Sequence, residues 1–238
     1  MKRLHITLFI TGIISLYAHN MSAQFVVAHD SIRGQINFTE RMGDFANMKT
    51  IANDSVFYLY PPDLDIDPWR RVDFYTPSRQ IEKGYIRGDK LMRVDDYELV
   101  EVSRLSAQGR VSLKNDDVKV EIAVAKVTPS DTYIKRKADG AYYVGGKAVK
   151  GVAKGETPQI RYQSISVSIK GKTVAFPAGR YNFLLEPEID NMVVYHNPDK
   201  DLVYIIANNG GTKAYYSVLW QVSPRGVSGP YVFDPSIK

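Results

Sequence analysis

A chain of 238 residues without cysteine can hold no disulfide, thiolate metal site or cysteine nucleophile, so its stability must come from an apolar core. Its formal charge is +5, and Lys2 and Arg3 carry two of those charges, which leaves +3 on the rest. So mild an excess favours an anionic surface as partner and makes no case for nucleic acid.

The chain opens Met1-Lys2-Arg3, continues through an apolar run from Leu8 to Tyr17, and reaches the small residues Ser22 and Ala23. A basic start, a short apolar centre and a small-residue exit predict a secretory signal peptide over 1–23, cut after Ala23. The run is shorter than the roughly 20 apolar residues of a membrane-spanning helix. No later stretch is apolar enough to span, so the expected product is periplasmic or secreted, with no membrane span after cleavage.

Beyond residue 24 the pattern is that of antiparallel β structure. Val118-Lys119-Val120-Glu121-Ile122-Ala123-Val124 and Ile165-Ser166-Val167-Ser168-Ile169 alternate apolar and polar residues, as half-buried strands do. Ile169-Lys170-Gly171-Lys172 predicts a tight hairpin, since glycine tolerates positive φ. Asn197-Pro198-Asp199-Lys200 predicts a second, between Met192–Tyr195 and Leu202–Ile206. Asn208-Asn209-Gly210-Gly211, Ala138-Asp139-Gly140 and Gly145-Gly146 predict further turns. One short helix is expected after Pro177, where Tyr181, Leu184 and Leu185 recur at helical spacing until Pro187. The polar, turn-rich stretch from Ser106 to Asp117 divides the chain into 24–110 and 117–238.

Residues 51–94 carry the most specific signal. Val56-Phe57-Tyr58-Leu59-Tyr60 is an aromatic strand, followed by the acidic, proline-rich Pro61-Pro62-Asp63-Leu64-Asp65-Ile66-Asp67-Pro68. Trp69 and Val72 then form a W-x-x-V element, and Gly84, Tyr85 and Ile86 a G-[WY]-[IV] element with Leu91 five residues on. This resembles the later half of a bacterial SH3-like domain. The resemblance implies a small barrel over 24–110, with Val72 and Phe74 inward and Trp69, Arg71 and Asp73 on the other side. The fold expected is therefore all-β: an SH3-like barrel followed by an antiparallel β-sandwich-like domain. Exported modules of this kind contact peptidoglycan or other proteins, which implies a binding or scaffolding role.

The inventory of reactive groups points the same way. His5 and His19 fall in the signal, and His29 and His196 read as solvated loop residues. No catalytic residue, metal site or cofactor is expected. Paired carboxylates remain as one route, densest at Glu186, Glu188 and Asp190. Asp63, Asp65 and Asp67 lack the closing glutamate of a calcium loop. Tyr58, Tyr60, Trp69 and Tyr75 are expected to line a groove beside the proline-rich loop, suited to sugar stacking or peptide docking. Lys135-Arg136-Lys137, with Lys147, Lys150 and Lys154, form a basic patch around hairpins. The leading expectation is a non-enzymatic envelope or secreted protein that binds peptidoglycan or a protein partner. An inhibitor or immunity-type protein and a carboxylate-dependent wall-glycan hydrolase are the alternatives.

Overall fold

The computed structural model describes residues 25–60, 67–76, 80–106 and 109–234. The expected signal segment and the centre of the proline-rich loop lie outside them. The all-β expectation holds: among the described residues every sheet is antiparallel and no helix reaches seven residues.

The first seven strands are β1 (Phe25–Ala28), β2 (Gln35–Phe38), β3 (Lys49–Ala52), β4 (Val56–Leu59), β5 (Trp69–Tyr75), β6 (Ile81–Arg87) and β7 (Leu91–Arg93). Five of them form a sheet in the order β6-β5-β4-β1-β7. The β2–β3 hairpin pairs with itself and bridges to β6 through Thr39 and Tyr85. It carries Ile36, Phe38 and Ile51 onto Val26, Phe57, Val72, Phe74 and Ile86, which close a first core. Val72 and Phe74 thus share the inner face, with the period of 2 that places alternate residues together.

The later strands make two more five-stranded sheets. One contains β9 (Val102–Ser106), β10 (Arg110–Lys114), β11 (Val118–Lys126), β15 (Ile160–Ile169) and β16 (Lys172–Val174). The other contains β8 (Glu98–Leu99), β17 (Val193–Asn197), β18 (Leu202–Asn209), β19 (Tyr216–Ser223) and β20 (Gly226–Phe233). Between β11 and β15, β12 (Ile134–Arg136), β13 (Tyr142–Val144) and β14 (Lys147–Ala148) form a small separate sheet. The two large sheets pack face to face around Val111, Leu113, Val120, Ile122, Val167, Val203, Ile205, Val218 and Trp220. The alternation read at 118–124 and 165–169 is this arrangement: Val118, Val120, Ile122, Ile165, Val167 and Ile169 are buried, while Lys119, Glu121 and Ser166 are exposed and Ser168 is half-buried; it breaks at a bulge, where Ala123 is buried and Val124 half-buried. Lys170 and Gly171 both take positive φ in the hairpin joining β15 to β16, as a two-residue primed turn requires.

A third core joins the two parts. Phe25, Val27, Val56 and Tyr58 on the outer face of the first sheet meet Tyr204, Ile206, Leu219, Tyr231 and Phe233 on the back of the β17–β20 sheet. The β17–β20 sheet therefore lies in the middle and is covered on both faces. That is why β18 and β19 read as nearly continuous apolar runs, Leu202–Ala207 and Val218–Trp220.

Two details differ from the sequence reading. The stretch after Pro177 forms a 3₁₀ turn at Ala178–Arg180 in place of a helix. The following backbone is used for long-range pairing: Lys150 N–H donates to Phe183 O, and Leu185 N–H donates to Lys150 O. Those bonds, with Gly179 and Pro187 nearby, outweigh the helical spacing of the apolar residues. The strands across the expected division at 106–117 also pair onward: β9 and β10 join β11, and β8 joins β17. The passage from the first sheet to the later ones falls at Val94–Tyr97, a 3₁₀ turn and its cap.

Candidate functional site

The four aromatic residues expected in one groove fall into two places. Tyr58 stacks face to face on Phe233, with ring centroids 3.5 Å apart and planes at 4°. Tyr60 meets both rings edge-on. Tyr75 donates from its hydroxyl to Val232 O at 2.5 Å and packs edge-on against Tyr231. These three tyrosines belong to the seam between the first sheet and the middle one. Burial pushes the Tyr58 and Tyr60 hydroxyls up to about 12, so both stay protonated as hydrogen-bonding groups.

Asp73 sits among them, on the seam side of β5, and is 4 % exposed. Tyr60 donates to its Oδ2 at 3.1 Å, while Oδ1 has no hydrogen-bond partner. Burial raises its pKa above the ordinary carboxylate value, against the opposing pull of the Tyr60 hydroxyl, Lys83 and Arg71. A carboxyl with a raised folded-state value binds more protons folded than unfolded, so its contribution to stability falls as pH rises from the ordinary carboxylate value through the raised one. Asp73→Asn keeps an acceptor for Tyr60 and carries no charge. It is expected to stabilise the protein at neutral pH, because no charge is then held out of water. It should also flatten the fall in melting temperature across that acid window. Melting curves from pH 4 to 7.5 for both proteins check this; a neutral-pH loss of stability in the variant would refute it.

Trp69 lies elsewhere. At the start of β5 it faces Phe45, with centroids 6.2 Å apart. Together with Met48, Ile36, Gln35 and Asn37 they line a cleft of about 160 Å³. Phe45 is 65 % exposed, which is unusual for so large an apolar ring. Met42 and Met48, in the same β2–β3 connection, are also exposed. Cations rim the cleft. Lys90 pairs with Asp30 at 3.0 Å and Arg87 with Asp89 at 3.0 Å, whereas Arg33 has no carboxylate partner among the described residues. Asp30 also accepts the backbone N–H groups of Arg33 and Ile32, which hold the turn beside the cleft; the Arg33 N–H, the Lys90 ammonium and the Ile32 N–H together pull its carboxyl down to about 2. The sequence reading singled out Trp69 and passed over Phe45, the ring beside it. The available signal was Met42, Phe45 and Met48 set among Gly43, Asp44 and Asn47, three large apolar side chains in a loop that has no core of its own to fill.

The remaining candidates are built into the framework. Glu186 accepts the backbone N–H groups of Gln159 and Ile160, and Glu188 accepts from Gly211 N–H and Asn191. The Asn208–Gly211 loop is held to both, since Gly210 N–H donates to Glu186 O and Glu188 N–H donates to Asn209 Oδ1. Asp67 reaches Arg70 at 3.4 Å, and Asp63 and Asp65 lie outside the described residues. In the basic patch, Lys137 lies over the Tyr143 ring at 3.8 Å, Lys147 over Phe183 at 4.6 Å, and Lys150 pairs with Asp234 at 2.8 Å. His196 is a correction: it is no solvated loop residue but 1 % exposed on β17, and neither ring nitrogen has a hydrogen-bond partner.

Among the described residues, no helix is long and apolar enough to cross a membrane. No family model, curated protein or solved structure matches the chain.

Proposed function

We propose that this chain is a non-enzymatic, exported binding protein of the cell envelope, and that it docks its partner on the Trp69–Phe45 surface. The carrying observation is the exposed Phe45 ring set against Trp69. Aromatic rings, methionine and arginine are the residue types enriched where proteins meet, and a few such anchors carry most of the binding energy. The signal-like N-terminus and the resemblance of Trp69–Leu91 to an SH3-like module support the same reading. A protein segment suits the methionine-rich rim; peptidoglycan is the other ligand to be tested.

Trp69→Ala and Phe45→Ala are expected to weaken binding by about 2 kcal/mol each, the cost of truncating an anchor. Co-sedimentation with purified peptidoglycan, and in vivo cross-linking from a photoreactive residue placed at Met48, separate the two partner classes. Melting temperatures measured beside them separate binding from stability. Tyr60→Ala serves as the contrast, since it should act through the seam and lower stability. Unchanged binding to either partner in both surface variants would refute the assignment.

A further inference from the structure

A second cleft, of about 330 Å³, opens where the two parts of the molecule meet. Ser55, Val56, Phe74, Tyr75 and Thr76 line it from the first sheet, and Arg180 with Ser228–Tyr231 line it from the other side. It lies on the seam, apart from the Trp69 surface. Its walls mix aromatic faces with polar groups: Tyr75 and Tyr231 stand edge to face at 5.6 Å, and Ser55, Thr76 and Ser228 border them. Among the described residues Arg180 is the one charged residue in the lining, and it has no carboxylate partner. One guanidinium nitrogen donates to Gly229 O at 2.5 Å. A guanidinium has five N–H donors in a fork that matches a carboxylate, so this single bond leaves most of its capacity unused. The residue is held firmly: it ends the 3₁₀ turn at Ala178–Arg180, and its carbonyl accepts the indole N–H of Trp220 at 2.9 Å.

A cleft between two packed parts, with two aromatic faces and one half-buried, unneutralised arginine, has the anatomy of a small-ligand site. We propose that it binds the free carboxylate end of a short peptide, with Arg180 taking the carboxylate and the Tyr75 and Tyr231 walls taking the last side chain. Two sources offer that chemistry: the C-terminus of a protein, and the D-alanine end of a cell-wall stem peptide. Because both parts of the molecule contribute walls, an occupant stabilises the seam, and binding raises the melting temperature.

The test uses the full mature chain and four probes: acetyl-Leu-Ala-Phe and acetyl-Lys-D-Ala-D-Ala, each as free acid and as amide. Titration is followed by melting temperature and by the emission of Trp220 in a Trp69→Phe background, where it is the only tryptophan left. At least one free acid is expected to raise the melting temperature and shift the emission, with its amide about tenfold weaker or inert, because a hydrogen bond to a charged group is lost. Which acid binds identifies the source. Arg180→Gln retains a donor for Gly229 O and should abolish the preference for acid over amide, and Arg180→Lys should keep part of it. Should Arg180→Gln not fold, Ser228→Leu narrows the cleft without touching the arginine and should weaken the same probe. Absence of binding by both acids, equal binding of acid and amide, or an unchanged preference in Arg180→Gln would each overturn the proposal.

Discussion

Residues 117–238 expressed alone are expected to aggregate and to show no cooperative melt. The division read from composition cuts β8, β9 and β10 away from the sheets they complete. The fragment would lack Val100, Val111 and Leu113, all at most 4 % exposed in the sandwich core. Fully burying one such side chain is worth about 1.5–3 kcal/mol. Three of them approach the whole stability of an ordinary domain, about 5–15 kcal/mol. The fragment would also expose Tyr204, Ile206 and Leu219 on the back of the middle sheet, where the first sheet now covers them. A fragment starting at Glu98 restores the three strands and should melt cooperatively, but the bare back of the middle sheet should make it self-associate. Calorimetry and sedimentation of the two fragments beside residues 24–238 decide the matter. A monomeric 117–238 fragment with a cooperative transition would mean that β8–β10 and the seam contribute little.

How much of this was legible depends on the range over which each signal acts. Hairpins are local, and the turns at Lys170-Gly171, Asn197–Lys200 and Gly145-Gly146 stand where their residues indicate. Alternation is nearly as local, and it separated the core face of β11 and β15 from the exposed one. What joins the parts is not local. Tyr75 and Val232 are 157 residues apart, and nothing near Tyr75 announces that its hydroxyl caps an edge-strand carbonyl. The same holds for Tyr58 on Phe233. Read in isolation, four aromatic residues around one loop form one groove; a distant strand takes three of them and leaves Trp69. One trace of the seam was present in the sequence. Leu202–Ala207 and Val218–Trp220 do not alternate, and a strand without alternation is buried on both faces. That pattern implied a further layer over the β17–β20 sheet. The helix expected after Pro177 failed for a related reason, since backbone pairing with Lys150 and Arg161 overrode a periodicity of only three apolar residues.

Gly84→Ala is expected to destabilise the protein by about 3 kcal/mol, the upper end of the range for overpacking. At this chain length that lowers the melting temperature by roughly 6–12 °C. The residue carries the glycine of the SH3-like resemblance, but conformational freedom is not its role, because its φ is not positive. The reason is proximity. A Cβ at Gly84 would stand 2.5 Å from the ring of Phe38 and would also overlap the Thr39 carbonyl oxygen. Phe38 is fully buried in the first core, so its ring has nowhere to retreat. Thr39 is fixed as well: Tyr85 N–H donates to Thr39 O at 2.8 Å, and Thr39 N–H donates to Tyr85 O at 3.1 Å. A methyl group must therefore push β2 off β6, break both bonds and open the first core. Gly171→Ala is the control. That glycine has φ +76° with nothing within 4 Å of the added carbon, so its cost is left-handed strain alone, about 1 kcal/mol. Melting curves of the two variants separate packing from backbone strain. A Gly84→Ala protein that melts with the wild type would mean that the β2–β3 hairpin is not seated on β6, and the Trp69–Phe45 surface, which depends on that seating, would lose its support.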